Sequence, residues 1–288
     1  MNNSRRVYPP TLSGAVVETY KTIDDVEMNI WIYSPEGHSE RDSRPAIVFF
    51  FGGGFRSGSP GQFARHCEYL TDRGMVAITA DYRVLERHGT LPDACVADAK
   101  SAMRYVRSNA ARLGIDPNRI AASGGSAGGY LAAALATLDG LDDSGDDLSV
   151  SANPNALVLF NPGLVSADIP GKIELSEERH KTLGERWGST PLESVSPYHN
   201  VKAGIVPAII FHGTGDTTIP YQTAAVFWER MQEEGNRCEL VGYGGAGHGF
   251  FNYGREGNAA FVDTVNRMDA FLVSLGYLDG GPEAMHHK

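Results

Sequence analysis

Cysteine, positive charge and long apolar runs are all scarce in this sequence, and each scarcity excludes a class of protein. The three cysteines (Cys67, Cys95 and Cys238) lie far apart without a CxxC motif, which argues against a disulfide framework or a zinc site. No apolar run approaches the roughly 18 residues of a membrane-spanning helix. Lys and Arg number 25 against 35 Asp and Glu, a net charge of −10, so we expect no nucleic-acid partner.

The first ten residues are polar and lack the apolar core of a signal peptide. We therefore expect a cytoplasmic protein from the chain as it stands, or a secreted one if a leader has been removed. The run 141–148 holds four Asp but lacks the spacing of a calcium loop, so a solvated surface loop is expected there. Glycine, by contrast, is abundant at 34 residues, and it clusters at a few points in the chain.

Apolar strand patterns alternate with amphipathic helical patterns along the chain, which is typical of an α/β fold with a mostly parallel sheet. We predict one domain over residues 1–288, with an antiparallel N-terminal strand pair, helices on both faces of the sheet and a small cap insertion at about 162–206. The predicted strands are 15–20, 28–33, 46–51, 75–80, 120–123, 157–160, 208–211 and 239–243. The predicted helices are 62–71, 92–111, 130–138, 177–187, 224–234 and one through 261–272.

The most informative motif is the GGSAG segment at 124–128, which matches the G-x-S-x-G pattern of a nucleophile elbow. It follows a predicted strand directly and precedes an Ala-rich predicted helix, as such an elbow requires. The sharp turn holds the serine at strained backbone angles, and small residues on either side leave room for it. The sequence therefore predicts Ser126 as a nucleophile, with helix N-terminal amides close to it.

Two further residues follow in the chain order serine, acid, histidine that this fold uses for a catalytic triad. Asp216 comes just after the predicted strand 208–211, and His248 comes just after the predicted strand 239–243. Parallel strands direct both residues to the carboxyl edge of the sheet, where open α/β sheets place their sites. We predict that His248 takes the proton of Ser126 and that Asp216 orients the imidazole.

Three consecutive glycines follow the first buried strand, in the segment FGGGF at 51–55. Glycines let backbone amides turn toward a substrate oxygen that side chains would obstruct. We predict an oxyanion hole formed by the backbone amides of Gly53, Gly54 and Ala127.

These motifs resemble the α/β-hydrolase fold, and specifically carboxylesterases of the hormone-sensitive-lipase type. That family has His in the oxyanion loop where this chain has Phe51, and Asp in the elbow where this chain has Gly125. The two departures bring the chain nearer to a compact branch of acetyl esterases that includes acetylxylan and feruloyl esterases. Segments 81–83 (DYR), 196–199 (SPYH) and 247–250 (GHGF) also resemble that branch.

The resemblance implies a serine hydrolase that cleaves carboxylic esters with short acyl groups through an acyl-enzyme, with an acetylated saccharide as a plausible substrate. An arylformamidase resembling kynurenine formamidases and a non-enzymatic, hydrolase-like binding protein are the alternatives. Phe55 and Trp187 are candidate substrate contacts, although Trp187 could equally serve only to anchor the insertion. The oligomeric state is left open by the sequence.

No cofactor is needed for this chemistry, and no metal site is expected. The remaining histidines show no ligand pairing at helical spacing and are interpreted as surface or core residues; they are His66, His88, His180, His199 and His212.

Overall fold

The computed structural model describes residues 8–281, and within them one sheet of eight strands runs through the chain. Its spatial order is β1-β2-β4-β3-β5-β6-β7-β8. The strands β1 and β2 pair antiparallel, β2 pairs antiparallel with β4, and every later pairing is parallel. The strands are β1 (Val16–Ile23), β2 (Val26–Tyr33), β3 (Arg44–Phe50), β4 (Val76–Ala80), β5 (Ile115–Gly125), β6 (Ala156–Phe160), β7 (Ala208–Gly213) and β8 (Cys238–Tyr243).

Helices cover both faces of this sheet, so the predicted architecture, a mostly parallel sheet with an antiparallel N-terminal strand pair and helices on both faces, is confirmed. The α-helices are α1 (Ala64–Asp72), α2 (Leu85–His88), α3 (Pro92–Ser108), α4 (Ala127–Thr137), α5 (Glu177–Trp187), α6 (Tyr221–Glu233) and α7 (Ala259–Ser274). Short 3-10 helices lie at Pro60–Phe63, Leu192–Val195, Pro197–Asn200 and Glu256–Asn258. The sequence did not predict α2, which has only four residues and ends at Gly89 in the left-handed conformation.

Two apolar layers, one on each face of the sheet, separate it from the helices. The strand β3 is continuously apolar because it contributes side chains to both layers. Ala46, Val48 and Phe50 face the layer formed with α3, α4 and α6. Ile47 and Phe49 face the layer formed with α1 and α7. A strand that is buried on both faces carries no polar alternation.

The acidic run 141–148 is a surface loop, as predicted, but several of its carboxylates also form ion pairs that the sequence did not predict. Asp143 pairs with Lys21 of β1 at 2.7 Å, and Asp146 pairs with Arg104 of α3 at 2.8 Å. Asp142 also pairs with Arg104. The loop is therefore held against β1 and α3 by ion pairs with basic residues that are distant in the sequence.

The segment 161–207 joins β6 to β7 and contains α5, where the sequence predicts the cap. The outermost parts of the predicted domain, residues 1–7 and 282–288, lie outside the described residues. None of the helices between residues 8 and 281 combines the length and the apolarity that crossing a membrane requires.

Candidate active site

Ser126 lies at a sharp turn between β5 and α4, with backbone angles φ 55° and ψ −115°. This positive φ is costly for a serine and is typical of residues held for a functional reason. A Cβ on Gly128 would lie 2.0 Å from the carbonyl oxygen of Phe50, and one on Gly124 would lie 2.4 Å from the backbone of Gly128. The turn can therefore pass this closely to β3 only with glycine at both positions.

His248 joins the three predicted triad residues into one hydrogen-bonded relay. Its Nε2 atom lies 2.9 Å from the Ser126 Oγ atom, and its Nδ1 atom lies 2.7 Å from Asp216 Oδ2. Ser126, Asp216 and His248 follow the carboxyl ends of β5, β7 and β8, so the parallel sheet brings them to one edge as the sequence predicts. If Nδ1–H donates to the carboxylate, Nε2 is left to accept the hydroxyl proton.

Backbone N–H groups that follow Asp216 in the chain hold its carboxylate in one orientation. The backbone N–H groups of Thr218 and Ile219 each donate to Asp216 Oδ1 at 2.9 Å. The side chain is fully buried, and its other oxygen meets His248. Charge-assisted bonds of this kind stabilise the ionised carboxylate and hold its orientation.

His212 is a second imidazole beside Asp216, and the structure shows why it does not compete for the carboxylate. Its Nε2 atom donates to the carbonyl oxygen of Ile219 at 2.8 Å and lies farther, at 3.4 Å, from Asp216 Oδ2. Burial is the main cause that lowers the pKa of His212. It is a core residue, as the sequence interpretation allowed.

The glycine loop after β3 brings two backbone N–H groups next to Ser126. Within residues 8–281, the N–H groups of Gly53, Gly54 and Ala127 have no hydrogen-bond acceptor. The N–H of Gly52 is different, because it donates to Gln62 Oε1 at 2.6 Å. Gly54 and Ala127 line the same cavity as Ser126, and Gly53 lines an adjoining one. These three donors are therefore available to a substrate oxygen.

A polar chain that the sequence did not predict links the oxyanion loop to the histidine loop. Gln62 Nε2 donates to Asn252 Oδ1 at 2.9 Å, and Asn252 Nδ2 donates to the carbonyl oxygen of Gly249 at 2.8 Å. Asn161 Oδ1 accepts the backbone N–H of Gly249 at 2.9 Å. Single amide side chains in loops give no pattern in a sequence, so nothing pointed to these residues.

The two departures from the resembled family both have a structural explanation. A Cβ on Gly125 would lie 2.6 Å from the ring atom Cζ of Phe251, so the Asp of the usual elbow has no room there. Phe51 stacks on the ring of Tyr82 with centroids 4.1 Å apart, and the Tyr82 hydroxyl donates to the Phe51 carbonyl oxygen at 2.7 Å. Aromatic packing therefore stands where the family has polar side chains.

Two cavities meet at Ser126. The first, of about 130 Å³, is lined by both predicted contact residues, Phe55 and Trp187. Trp187 also packs on Tyr130 with ring centroids 5.9 Å apart, so it both anchors the 161–207 segment and forms part of the cavity wall. The second, of about 320 Å³, is lined by His248. Among residues 8–281, no cluster of three or more His, Cys, Asp or Glu side chains could hold a metal ion.

The comparisons with known proteins find esterases. The BD-FAE family model matches residues 30–231. A probable isoprenylcysteine alpha-carbonyl methylesterase of rice (Oryza sativa subsp. japonica) is 29% identical over 71% of this chain and 51% of its own. The acetylxylan esterase of Xylanibacter ruminicola is 26% identical over 81% of this chain and 45% of its own. The chain thus spans about half the length of these curated relatives.

Solved structures of esterase 2 from Thermogutta terrifontis match nearly from end to end. The native form has a TM-score of 0.91 at 49% identity, covering 97% of this chain and 99% of that one. The butyrate-bound form has a TM-score of 0.90 at 49% identity, covering 96% and 100%. The form phosphonylated by sarin has a TM-score of 0.92 at 49% identity, covering 95% and 99%. With a family model over more than half of its length and these neighbours, the chain belongs to the BD-FAE family and is an α/β-hydrolase of the carboxylesterase kind.

Proposed function

We propose that the protein hydrolyses carboxylic esters with short acyl groups through an acyl-enzyme formed on Ser126. The observation that carries the proposal is the unbroken relay from Asp216 through His248 to a strained serine. Next to it lie three backbone N–H groups that have no acceptor in the described part of the chain. A nucleophile, a base that is oriented by a third group and an oxyanion site together make up the requirements of acyl transfer.

In the first half of the reaction, Ser126 Oγ attacks the ester carbonyl carbon while His248 Nε2 takes the hydroxyl proton. The carbonyl oxygen becomes an oxyanion that accepts hydrogen bonds from the N–H groups of Gly53, Gly54 and Ala127. The intermediate then collapses, the bond to the alcohol oxygen breaks, and His248 gives its proton to the leaving alkoxide. Alcohol departs and the acyl group stays on Ser126.

In the second half, a water molecule attacks the acyl carbon and His248 takes its proton. The intermediate collapses again, the proton returns to Ser126 Oγ, and the carboxylic acid leaves. Throughout, Asp216 holds Nδ1–H in place and stabilises the transient imidazolium. The arrangement needs no cofactor.

The size of the first cavity supports a short acyl group. About 130 Å³ beside Ser126 and Ala127 are lined by Phe55, Tyr130 and Trp187. The segment 162–206 acts here as the cap, and it supplies α5 as one wall. The butyrate-bound form of the Thermogutta esterase supports the same acyl size.

The alcohol part is proposed to lie on the His248 side, where the cavity of about 320 Å³ could admit a sugar. An acetylated saccharide is therefore our proposed substrate class, and the acetylxylan esterase relative supports it.

A panel of p-nitrophenyl esters from acetyl to octanoyl tests the proposal. We expect kcat/KM for acetyl to exceed that for octanoyl by at least about tenfold, equivalent to 1.4 kcal/mol. Efficiency that rises through octanoyl would contradict the short-acyl assignment. N-formylkynurenine in the same panel tests the formamidase alternative, and failure of a fluorophosphonate to label Ser126 would favour a binding protein.

A further inference from the structure

Two arginines of α5 reach into the cavity beside Ser126. Arg179, Leu183 and Arg186 all line this cavity, and their spacing of four and three residues places them on one face of the helix. Arg186 also approaches the oxyanion loop, since its Nη2 atom lies 4.0 Å from the position that a Cβ on Gly54 would take. Arg179 additionally borders a larger groove of about 640 Å³ that continues outward from the cavity.

Neither guanidinium has an acidic partner among residues 8–281. No hydrogen bond or ion pair to the Arg179 or Arg186 side chain exists within this part of the chain. Partly buried arginines elsewhere behave differently: Arg83 binds Asp98 through two nitrogens at 2.8 and 2.9 Å, and Arg104 pairs with Asp146 at 2.8 Å.

The cost of this arrangement appears in the acid–base properties of the two side chains. Burial lowers the pKa of Arg179. Burial also lowers the pKa of Arg186, and the positive charges of Arg179 and Arg56 lower it further. Partly buried charges without a partner destabilise the folded protein. A bound anion would supply the missing partner and offset this cost.

We propose that the natural ester substrate carries an anionic group, of the carboxylate class, that Arg179 and Arg186 bind in the cavity under α5. A guanidinium presents planar, paired N–H donors that match a carboxylate, and it binds more strongly where water is partly excluded. The local positive charge is also opposite to the net charge of −10 of the whole chain, so it attracts anions to this cavity. This inference rests on the proposed ester hydrolysis. It keeps the short acyl group and the saccharide alcohol of that proposal, but it replaces acetyl by a short acyl group that ends in a carboxylate.

The geometry favours the acyl half of the ester as the carrier of the anion. The leaving oxygen must lie within reach of His248, which lines the second cavity and not the first. Ser126 and Gly54 line both cavities. Ala127 lines the first and not the second, together with the two arginines, so the acyl group extends toward α5. Half-esters of short dicarboxylic acids fit both the size and the charge.

Two matched substrate pairs test the proposal with the full chain. Monoethyl succinate and ethyl succinamate differ by one charge on the acyl half, and acetoxyacetate and acetoxyacetamide differ by one charge on the alcohol half. We expect wild-type kcat/KM to favour monoethyl succinate over ethyl succinamate by at least about tenfold, and 1 M NaCl to reduce this ratio because the Debye length is then about 3 Å.

Substitutions assign the preference to the arginines. Arg179→Met and Arg186→Met should each move the succinate-to-succinamate ratio toward one, and the Lys variants should restore part of it because they keep the charge. Lys181→Met is the matched control, since Lys181 lies on the same helix, is exposed and pairs with Glu185. Its ratio should match wild type, and thermal unfolding of every variant should stay cooperative.

A wild-type ratio near one for both substrate pairs would overturn the proposal, as would a ratio that survives both Met substitutions. A preference confined to the acetoxyacetate pair would support the anion site but overturn its placement on the acyl half. Calorimetry of succinate binding to Ser126→Ala tests the anion site separately from ester hydrolysis. We expect Arg186→Met, added to Ser126→Ala, to weaken this binding about tenfold. Such binding without ester hydrolysis by wild type would reject the esterase and keep the anion site.

Discussion

His66 on α1 is a fully buried histidine whose charge state should make the folding of this protein sensitive to acid. Neither ring nitrogen has a hydrogen-bond partner within residues 8–281. Desolvation by burial lowers its pKa to about 3. Five phenylalanine rings surround it with centroids 4.9 to 6.3 Å away, namely Phe49, Phe63, Phe160, Phe251 and Phe261.

The direction of the effect follows from comparing the folded and unfolded chains. The imidazole takes a proton near pH 6.5 when unfolded but only near pH 3 when folded. Between these values the unfolded chain binds one more proton, so the free energy of unfolding falls as the pH falls. At up to 1.36 kcal/mol per pH unit, this single group should cost about 3 kcal/mol between pH 7 and pH 4.

His66→Phe removes the titrating group and keeps a ring in the aromatic cluster, and His66→Leu is a second variant in case the larger ring fits poorly. Denaturant unfolding at pH 7, 5.5 and 4 gives the free energy of unfolding of variant and wild type. The difference between them should shift by about 3 kcal/mol in favour of the variant from pH 7 to pH 4, whatever its value at pH 7. Any packing cost is independent of pH and cancels in the comparison. His180→Gln, which removes a partly exposed histidine that pairs with Asp168, is the control. Parallel stability profiles for wild type and both His66 variants would refute the reasoning.

Three further predictions address the site itself. Ser126→Ala should lower ester turnover by roughly four to six orders of magnitude, because the covalent route is lost; retention of a tenth of the activity would rule out Ser126 as the nucleophile. Asp216→Asn should fold normally yet lose about four orders of magnitude in kcat, since an amide favours the wrong imidazole tautomer; a near-normal rate would assign the acid elsewhere. Gly125→Ala should reduce the free energy of unfolding by about 1–3 kcal/mol through collision with Phe251. Gly244→Ala should not be destabilising, because no atom of residues 8–281 lies within 4 Å of the position its Cβ would take, and equal losses would contradict the packing argument.

The elements that the sequence predicted are those whose signal is local. The run from Ala46 to Phe51 is apolar because both faces of β3 are buried, and the helix at 177–187 was predicted at the bounds that the structure has. The elbow around Ser126 is likewise a single short motif. Asp216 and His248 could be found because strand order alone decides which edge of a parallel sheet they reach.

What the sequence could not predict depends on contacts between distant positions. Gln62 and Asn252 are 190 residues apart, and neither belongs to a periodic pattern. Arg179 and Arg186 look like ordinary solvated charges on a polar helix, and only the placement of α5 over the cavity turns them inward. The ion pair of Asp143 could not be predicted for the same reason, because its partner Lys21 lies on the first strand.

The replacement of the elbow aspartate by Gly125 makes sense together with Phe251. The Phe251 ring fills the space beside Gly125 and stacks on Phe160 and Phe63, with centroids 4.7 and 5.9 Å away. It lies only three residues after His248, so the catalytic loop is anchored in the apolar layer beneath it by its own chain. A polar elbow residue would have to displace this ring, which gives the loop its position. The glycine at 125 and the phenylalanine at 251 therefore depend on each other for their packing. Changing either one alone should weaken the contact between His248 and Ser126.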